Sequence, residues 1–148
     1  MIKDDYRIYS FDGYYLTIDS ISAYFLGNMD LLSAPYRKQL FKDQNSPIYT
    51  SVQNSPPTIY KGNANVKNSL IADGCIIEGT VENSVLFRGV KIGKGTSVSN
   101  CILMQDTLTG ENVDLRYVIT DKKVVIRDGR LLCGYDRMPL FINKEAIV

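Results

Sequence analysis

The sequence contains no histidine among its 148 residues. Without an imidazole, the chain has no Ser-His or Cys-His nucleophile pair, no histidine metal ligand and no histidine general base. This absence excludes the catalytic groups of several enzyme classes. The function of the chain must therefore rest on other side chains, on the backbone or on shape.

Net charge is nearly absent as well, because 17 Lys and Arg residues oppose 16 Asp and Glu residues. A formal charge of +1 gives no field that would hold nucleic acid or an acidic membrane, so we expect neither as a partner. No apolar run reaches membrane-spanning length, and the opening "MIKDDYRIYS" lacks the apolar stretch of a signal peptide. We therefore expect a cytoplasmic protein.

Cysteine is scarce and irregularly spaced. Cys75, Cys101 and Cys133 are an odd set without Cys-x-x-Cys spacing, and they lie among aliphatic residues. This pattern predicts buried free thiols in a reducing compartment rather than disulfides or zinc ligands.

The sequence does contain two series of mostly apolar residues with a period of six. They are Leu86, Ile92, Val98 and Met104, and, four places later, Val90, Thr96, Ile102 and Leu108. A period of six fits neither a helix nor a simple strand, and indicates a repeating coil with one inward aliphatic residue per rung. After Met104 both series shift by one, to Thr109 and Leu115 and to Val113 and Ile119. The shift predicts one five-residue rung.

A longer repeat contains the short one. The phrases "NSLI", "NSVL" and "NCIL" begin at Asn68, Asn83 and Asn100, and "RYVI" at Arg116 is a degraded fourth copy. Their spacings of 15, 17 and 16 residues suit triangular coils of three short rungs each, with Gly93, Gly95 and Gly110 at turns between faces. We therefore predict a mainly β chain built as a left-handed parallel β-helix.

The first part of the chain has a different pattern and predicts a small α/β segment. Residues 6–18 are predicted to form two strands in a hairpin around Asp12-Gly13. Residues from about 20 to 32 are predicted to form a helix that Asp19 or Ser20 caps. Pro35 suits the first turn of a shorter helix through "YRKQLFK". The polar, proline-containing stretch 43–58 is predicted to link segment 1–42 to the β-helix at 59–148.

Two long motifs resemble one family. "YSFDGYYLTIDSISAYFLGNMDLL" resembles the end of the catalytic domain of bacterial glucose-1-phosphate adenylyltransferases (ADP-glucose pyrophosphorylases), and "NSLIADGCIIEGTVENSVLFRGVKIGKG" resembles the start of their C-terminal β-helix. With "VITDKKVVIRDGRLL", the chain is similar to the regulatory-type paralogue of glycogen biosynthesis. The resemblance implies that residues 1–42 are the last elements of a nucleotidyltransferase domain.

The resemblance also implies a role. A hexapeptide β-helix resembles those of three groups of proteins: acyltransferases, metal-dependent carbonic anhydrases, and sugar nucleotidyltransferases that carry it as an appendage. The first two groups use histidines that this chain lacks. The third group remains, and in it the β-helix serves regulation and assembly. The resemblance therefore implies such a role in a family that converts ATP and glucose 1-phosphate to ADP-glucose and pyrophosphate. Mg²⁺ and ATP are implied for the full-length catalytic members, and no cofactor for this chain.

The sequence departs from the catalytic members at two places. It has no Gly-rich phosphate loop of the G-x-G-x-R-L kind, and Thr17 stands where the family has a metal-binding Asp. A neutral hydroxyl is a poor substitute for a carboxylate at a hard cation. Asp19, two residues further on, either faces the same side as that position or caps the helix. We therefore expect no catalytic, cofactor-binding or metal-binding residues here, and no activity from this chain alone.

One alternative is a stand-alone module that binds an anionic sugar phosphate or another small anionic effector. Its candidate ligands are two basic groups: Arg88, Lys91 and Lys94, and Lys122, Lys123, Arg127 and Arg130. Guanidinium and ammonium groups suit phosphate oxygens. The other interpretation of these residues is that they are solvated charges that keep the edges of the coils soluble.

A further alternative is a purely structural module, because a β-helix has open ends that favour association. Residues predicted to form a final strand that caps or extends the last coil are Tyr135, Met138, Pro139, Leu140, Phe141 and Ile142. The expected partners are a second copy of the chain, a catalytic ADP-glucose pyrophosphorylase subunit, or both.

Overall fold

The computed structural model describes residues 7–41 and 47–148. Two short helices come first, α1 at Ile21–Asp30 and α2 at Ala34–Phe41. Fifteen short strands follow and wind into a parallel β-solenoid. The chain is therefore mainly β, as the period of six predicts.

The strands form three five-stranded parallel sheets, to which the chain contributes in turn. Sheet A contains β1 (Ile59–Tyr60), β4 (Ile76–Ile77), β7 (Lys91–Ile92), β10 (Leu108–Thr109) and β13 (Val125–Ile126). Sheet B contains β2 (Asn65–Lys67), β5 (Thr80–Glu82), β8 (Ser97–Ser99), β11 (Asp114–Arg116) and β14 (Leu131–Cys133). Sheet C contains β3 (Leu70–Ile71), β6 (Val85–Leu86), β9 (Ile102–Leu103), β12 (Val118–Thr120) and β15 (Leu140–Ile142). The turns between them are named here after the sheets they join: the A–B, B–C and C–A corners.

The register of the sheets stacks equivalent residues on successive coils. In sheet B, Val81 pairs with Val98, and Val98 pairs with Leu115. All three side chains point into the interior and are fully buried. Burying one such aliphatic side chain stabilises the fold by roughly 1.5–3 kcal/mol. The interior is thus a continuous apolar column along the axis of the solenoid.

The first six-residue series is largely confirmed. Leu86, Ile92 and Val98 are buried in the interior, but the next inward residue is Leu103 and not Met104. Met104 packs outside the solenoid, against the cluster that includes Phe25 of α1. The five-residue rung therefore lies between Val98 and Leu103, one rung earlier than predicted.

The second series follows the same correction. Val90 and Thr96 lie inward as predicted, whereas Ile102 faces outward beneath α1 and Leu108 is partly exposed. Cys101 takes the inward position that the sequence assigned to Ile102. Beyond this rung Thr109, Leu115 and Val113 are buried as predicted, and Ile119 joins Ile102 in the outward cluster.

The B–C corner explains the repeated phrase. Its residues Asn68, Asn83, Asn100 and Tyr117 all have positive φ, between 44° and 52°. Asparagine tolerates this left-handed conformation better than most residues. The Asn68 amide also donates to the Asn83 side-chain oxygen, N to O distance 2.7 Å. Because Ile119 pairs with Ile102, the fourth copy begins at Tyr117 and not at Arg116.

The three predicted turn glycines all lie at the A–B corner. Gly95 has a φ of +70°, which favours glycine. Gly93 is required for a different reason, because a Cβ there would lie 2.1 Å from the carbonyl oxygen of Gly110. A side chain at Gly110 would in turn meet Asp128. The backbones of neighbouring coils thus approach too closely for a side chain.

Helix α1 packs on the outer face of sheet C. The Ser20 hydroxyl accepts a hydrogen bond from the Ala23 N–H (3.1 Å), so Ser20 is the N-cap, and Asp19 is not. Phe25 is only 2% exposed and packs with Ile102 and Ile119. The predicted helix is confirmed, although its last residues form a turn after Asp30.

The predicted hairpin at 6–18 is wrong where the structure describes it. Residues 7–20 contain no strand, and most of their side chains are exposed. An isolated two-stranded hairpin without a face to pack against is marginal in water. Tyr14 is the best-anchored residue, since its hydroxyl donates to Asp30 (2.9 Å) and its ring lies 5.1 Å from that of Tyr36. Residue 6 lies outside the described residues.

Residues 47–58 connect α2 to the solenoid and form neither helix nor strand. They are fixed at their end, where the Pro56 carbonyl accepts from the Gly74 N–H at 2.7 Å and the Thr58 hydroxyl donates to the Ala72 carbonyl at 2.8 Å. Residues 42–46, the end of the second predicted helix and the start of the predicted linker, lie outside the described part. The domain boundaries stay a prediction.

The last coil differs from the predicted final strand at three residues, because Tyr135, Met138 and Pro139 lie outside the observed strand. Leu140 to Ile142 form β15 and pair with β12, which extends sheet C as predicted. Tyr135 and Met138 instead close a tight turn through two backbone hydrogen bonds of 3.0 Å, and their side chains are exposed. The longer B–C connection in this coil brings the Arg137 carbonyl to the Ser22 hydroxyl of α1.

Two of the three cysteines are buried free thiols, as predicted, and Cys133 is exposed. Burial raises the pKa of Cys101 to about 12 and also raises the pKa of Cys75. Cys133 is exposed because it occupies an outward position on β14, where it pairs with the exposed Arg116, whereas its neighbour Leu132 pairs with the buried Leu115. No helix in the described part of the chain is long and apolar enough to cross a membrane.

Candidate functional site

The structure separates the predicted basic residues. Arg88, Lys122 and Lys123 lie at the C–A corner, whereas Lys94, Arg127 and Arg130 lie at the A–B corner; Lys91 lies on β7 between the two corners. The first predicted group of three is therefore divided between the two ends of one strand. The second group is divided in the same way by β13.

At the C–A corner the basic side chains are interspersed with acidic and neutral ones. The Asp106 N–H donates to the Arg88 carbonyl (3.0 Å), and the Lys123 N–H donates to the Gln105 carbonyl (2.8 Å). Arg88, Gln105 and Lys122 thus occupy equivalent positions on consecutive coils, so Arg88 and Lys122 are about 10 Å apart. Lys123 lies 3.9 Å from Glu145. This distribution suits a solvated edge.

Arg88 differs from the other basic residues of the corner because it is only partly exposed. Its Nε is buried and has no hydrogen-bond partner among the residues that the structure describes. Its neighbour Gly89 donates its N–H to the Asp73 carbonyl at 3.2 Å. Arg88 is therefore held close to the coils by its buried stem.

The A–B corner contains a cleft that the sequence analysis did not predict. Four residues separate the strands at this corner in four of the coils, but only Glu78 and Gly79 separate β4 from β5. The missing two residues leave a cavity of about 530 Å³, which we call the corner cleft. It is lined by Lys61, Gly62, Asn63, Glu78, Gly79, Thr80, Lys94, Gly95, Thr96 and Ser97.

Polar groups face each other across the corner cleft. Lys61 on one side forms an ion pair with Glu78 (Nζ to Oε1, 2.9 Å), and Lys94 lies on the other side. Both partners of the pair are exposed, so the pair contributes little to stability. At the floor, a Cβ on Gly79 would lie 2.2 Å from the Thr96 carbonyl oxygen, so only glycine fits there.

The outer face of sheet C has two apolar grooves, one on each side of α1. The first, about 380 Å³, lies between the start of α1 and Met104, Ile119 and Phe141, and we call it the α1 groove. The second, about 270 Å³, lies over Leu70, Val85 and neighbouring residues, and we call it the β6 groove. Apolar surface of this kind is typical of a contact with another protein surface.

The residues at the family's metal position do not converge on a cation site. The Thr17 hydroxyl donates to the Tyr15 hydroxyl (2.8 Å), and Asp19 is exposed beside the N-cap. No group of three or more His, Cys, Asp or Glu side chains in residues 7–41 and 47–148 has the arrangement of a metal site.

Three stacked parallel sheets built from six-residue rungs define a hexapeptide β-solenoid. The chain belongs to the family described as "GlmU-like, C-terminal hexapeptide", whose model matches residues 58–139, more than half of the chain. The family resemblance inferred from the two motifs is confirmed by individual relatives as well.

The chain is 45% identical over 139 residues to the glycogen biosynthesis protein GlgD of Bacillus subtilis (strain 168), covering 94% of this chain and 40% of that protein. It is 59% identical over 71 residues to GlgD of Geobacillus stearothermophilus, covering 48% of this chain and 20% of that protein. The glucose-1-phosphate adenylyltransferase of Bacillus mycoides (strain KBAB4) is 36% identical over 124 residues, covering 84% and 33%. The chain thus spans well under half the length of these relatives.

Sequence reasoning missed the corner cleft and the role of Lys61 in it, although a signal was present. The spacing of 15 residues between Asn68 and Asn83 is two residues shorter than the next spacing. A coil that keeps its three strands can lose residues only at a corner, and the shortened corner is the one at Glu78-Gly79.

Proposed function

We propose that this chain is the regulatory and assembly part of an ADP-glucose pyrophosphorylase-type protein of glycogen biosynthesis, and that it is not catalytic by itself. The names of the relatives support the pathway. The absence of a Gly-rich phosphate loop from this sequence, and Thr17 in place of the family's metal carboxylate, support the lack of activity. ATP and Mg²⁺ would be bound by a catalytic nucleotidyltransferase domain or subunit.

The observation that carries the proposal is the packing of α1 on the solenoid. Helix α1 and the turn after it contain the motif "NMDLL", which resembles the end of the family's catalytic domain. Phe25 anchors this segment directly on Ile102 and Ile119. A close-packed contact transmits displacement because it has little free volume. Movement of the solenoid would therefore reach the catalytic part directly through this contact.

The two apolar grooves support the assembly role. They flank α1, so a catalytic domain or a neighbouring subunit that contacts α1 would also cover them. Both partners named above, a second copy and a catalytic subunit, fit such a surface. The cytoplasmic location expected from the sequence remains part of this proposal, and the glycogen biosynthesis name of a relative supports it.

The first test measures pyrophosphate release by the purified chain with Mg²⁺, ATP and glucose 1-phosphate. We expect no release above background, and sustained turnover would refute the claim that the chain is inactive alone.

The second test adds the chain to a catalytic glucose-1-phosphate adenylyltransferase and measures its rate and effector response. We expect the chain to change one of them, and Phe25→Ala to reduce that change because the helix loses its anchor. Tyr49→Ala, at an 89% exposed residue, is the matched control. If the chain leaves both rate and effector response unchanged, the regulatory role is wrong and the chain is a structural appendage.

A further inference from the structure

The corner cleft has an unpaired backbone donor that follows from its missing residues. At the A–B corners that follow β10 and β13, the Asn112 N–H donates to the Lys94 carbonyl and the Gly129 N–H donates to the Glu111 carbonyl, both at 2.9 Å. Gly95 is the equivalent residue one coil earlier, and its partner would lie in the shortened corner. Its N–H therefore has no backbone partner among the described residues, and Gly95 itself lines the cleft.

A basic side chain lies beside this donor. Lys94 precedes Gly95 and lines the same cleft, and no ion pair of the described residues includes it. Lys61 lies on the opposite wall, where it forms an exposed ion pair with Glu78. Because an exposed ion pair is weak, a bound anion can replace Glu78 as the partner of Lys61. The cleft thus combines a backbone N–H with two ammonium groups and one carboxylate.

We propose that the corner cleft binds a small oxyanion of the phosphate-monoester or polycarboxylate class, with the Gly95 N–H and Lys94 as donors and Lys61 as the opposing cation. Backbone N–H groups in a turn with positive φ form anion-binding concavities, and an ammonium group strengthens them. The volume of about 530 Å³ lies within the range of small-molecule sites. This site goes beyond the proposed regulatory function and does not depend on a catalytic partner.

Substitutions of the acidic and basic residues of the cleft should change anion binding in opposite directions. Glu78 repels an incoming anion and holds Lys61, so Glu78→Gln should tighten binding by about 5-fold, the effect of removing one exposed like charge. Lys94→Gln should weaken binding by a similar factor. Lys144→Gln, an exposed lysine at the C–A corner, is the control and should leave binding unchanged.

The experiment follows the amide resonances of the ¹⁵N-labelled chain during titration with inorganic phosphate, then with citrate, each against NaCl at matched ionic strength. We expect a saturable shift of the Gly95 amide with one or both anions but not with NaCl; the anion that shifts it identifies the phosphate or carboxylate class. Retained resonance dispersion shows that each variant is folded. An unmoved Gly95 amide, an equal shift with NaCl, or a shift insensitive to both Lys94→Gln and Glu78→Gln would overturn the proposal.

Discussion

The ring of Phe25 in α1 lies 6.2 Å from the ring of Tyr117, centroid to centroid, with 52° between their planes. Tyr117 holds this position with a φ of +51°, at a corner where the earlier coils have asparagine. Tyr117 thus stands where asparagine would suit the backbone conformation better, and its ring instead contacts Phe25 of α1. A tilted aromatic pair contributes about 0.5–1.5 kcal/mol, comparable to the penalty of a left-handed conformation.

Replacing Tyr117 with asparagine should separate these two effects. We expect Tyr117→Asn to leave the melting temperature of the solenoid nearly unchanged, because the relieved strain offsets the lost contact. The amides of α1 should exchange faster with solvent, because α1 loses an aromatic contact. Thermal unfolding measures the first effect and hydrogen exchange resolved by residue measures the second. Unchanged exchange in α1 would mean that Phe25 is held by Ile102 and Ile119 alone.

Neighbouring residues on β7 test the inward register. Ile92 is 2% exposed and Lys91 is exposed. Ile92→Asp places an unpaired carboxylate in the apolar column and should lower the free energy of unfolding by several kcal/mol, roughly the upper range for single substitutions. Lys91→Asp should cost less than about 1 kcal/mol. Denaturant unfolding of both variants measures the difference, and equal losses would contradict the register.

A pair of glycine substitutions tests the close approach of coils at the A–B corner. A Cβ at Gly93 would lie 2.1 Å from the Gly110 carbonyl oxygen, and a backbone atom cannot move aside. Gly93→Ala should therefore lower the free energy of unfolding by about 1–3 kcal/mol, the usual cost of overpacking. Gly62→Ala has open space around the new Cβ and should cost only the left-handed conformation, about 1–2 kcal/mol. A smaller loss at Gly93 than at Gly62 would show that the coils can separate.

The three thiols should differ in reactivity. We expect Cys133 to react rapidly with a thiol reagent at pH 8, and Cys75 and Cys101 to react only after unfolding, because burial shields them and raises the pKa of both. Labelling followed by peptide mapping measures this order. Rapid labelling of Cys101 in the folded chain would contradict the buried position.

The raised pKa of Cys101 also predicts a pH dependence. The folded chain keeps the thiol protonated up to about 12, whereas the unfolded chain ionises near its ordinary value of 9.0. The stability due to this group is therefore present below pH 9 and lost as the pH rises toward 12. Cys101→Ala should reduce the loss of stability across that window. The same slope in both proteins would mean that other groups cause it.

The chain should associate with itself at micromolar concentration. The α1 and β6 grooves leave apolar surface open, and identical chains most often form closed two-fold contacts. Light scattering should give the mass of a dimer. Phe87→Ser, beside the β6 groove, should shift the equilibrium toward monomer, and Tyr49→Ser should not. A strictly monomeric wild-type chain would contradict this prediction.

Local periodicity was enough to predict the fold class. Leu86, Ile92 and Val98 follow the period of six because every inward position in this stretch is one rung from the next. The error at Met104 arose because Ile102, Leu103 and Met104 are all apolar, and two of them are covered by α1. Which of three adjacent apolar residues faces inward depends on a helix about 80 residues earlier in the chain, and periodicity carries no such information.

The candidate sites were less predictable. Lys91 and Lys94 are close in sequence, yet one lies on a strand and the other at a corner, so closeness along the chain did not produce a cluster. Lys61 and Lys94 are far apart in sequence and line the same cleft. Stacking of coils brings together residues that occupy equivalent positions of the repeat. The corner that lacks two residues changes locally which residues become neighbours.

The shortened corner at Glu78-Gly79 shows how this architecture accommodates insertions and deletions. Two residues are missing there, yet Val81 still pairs with Val98 on one side and with Val66 on the other, so the strand register is preserved. The last coil shows the opposite change, with a lengthened connection before β15 and undisturbed pairing with β12. Length variation is thus confined to the rim, and a single indel can create or fill a surface cavity while the hydrophobic interior keeps the same sequence requirements.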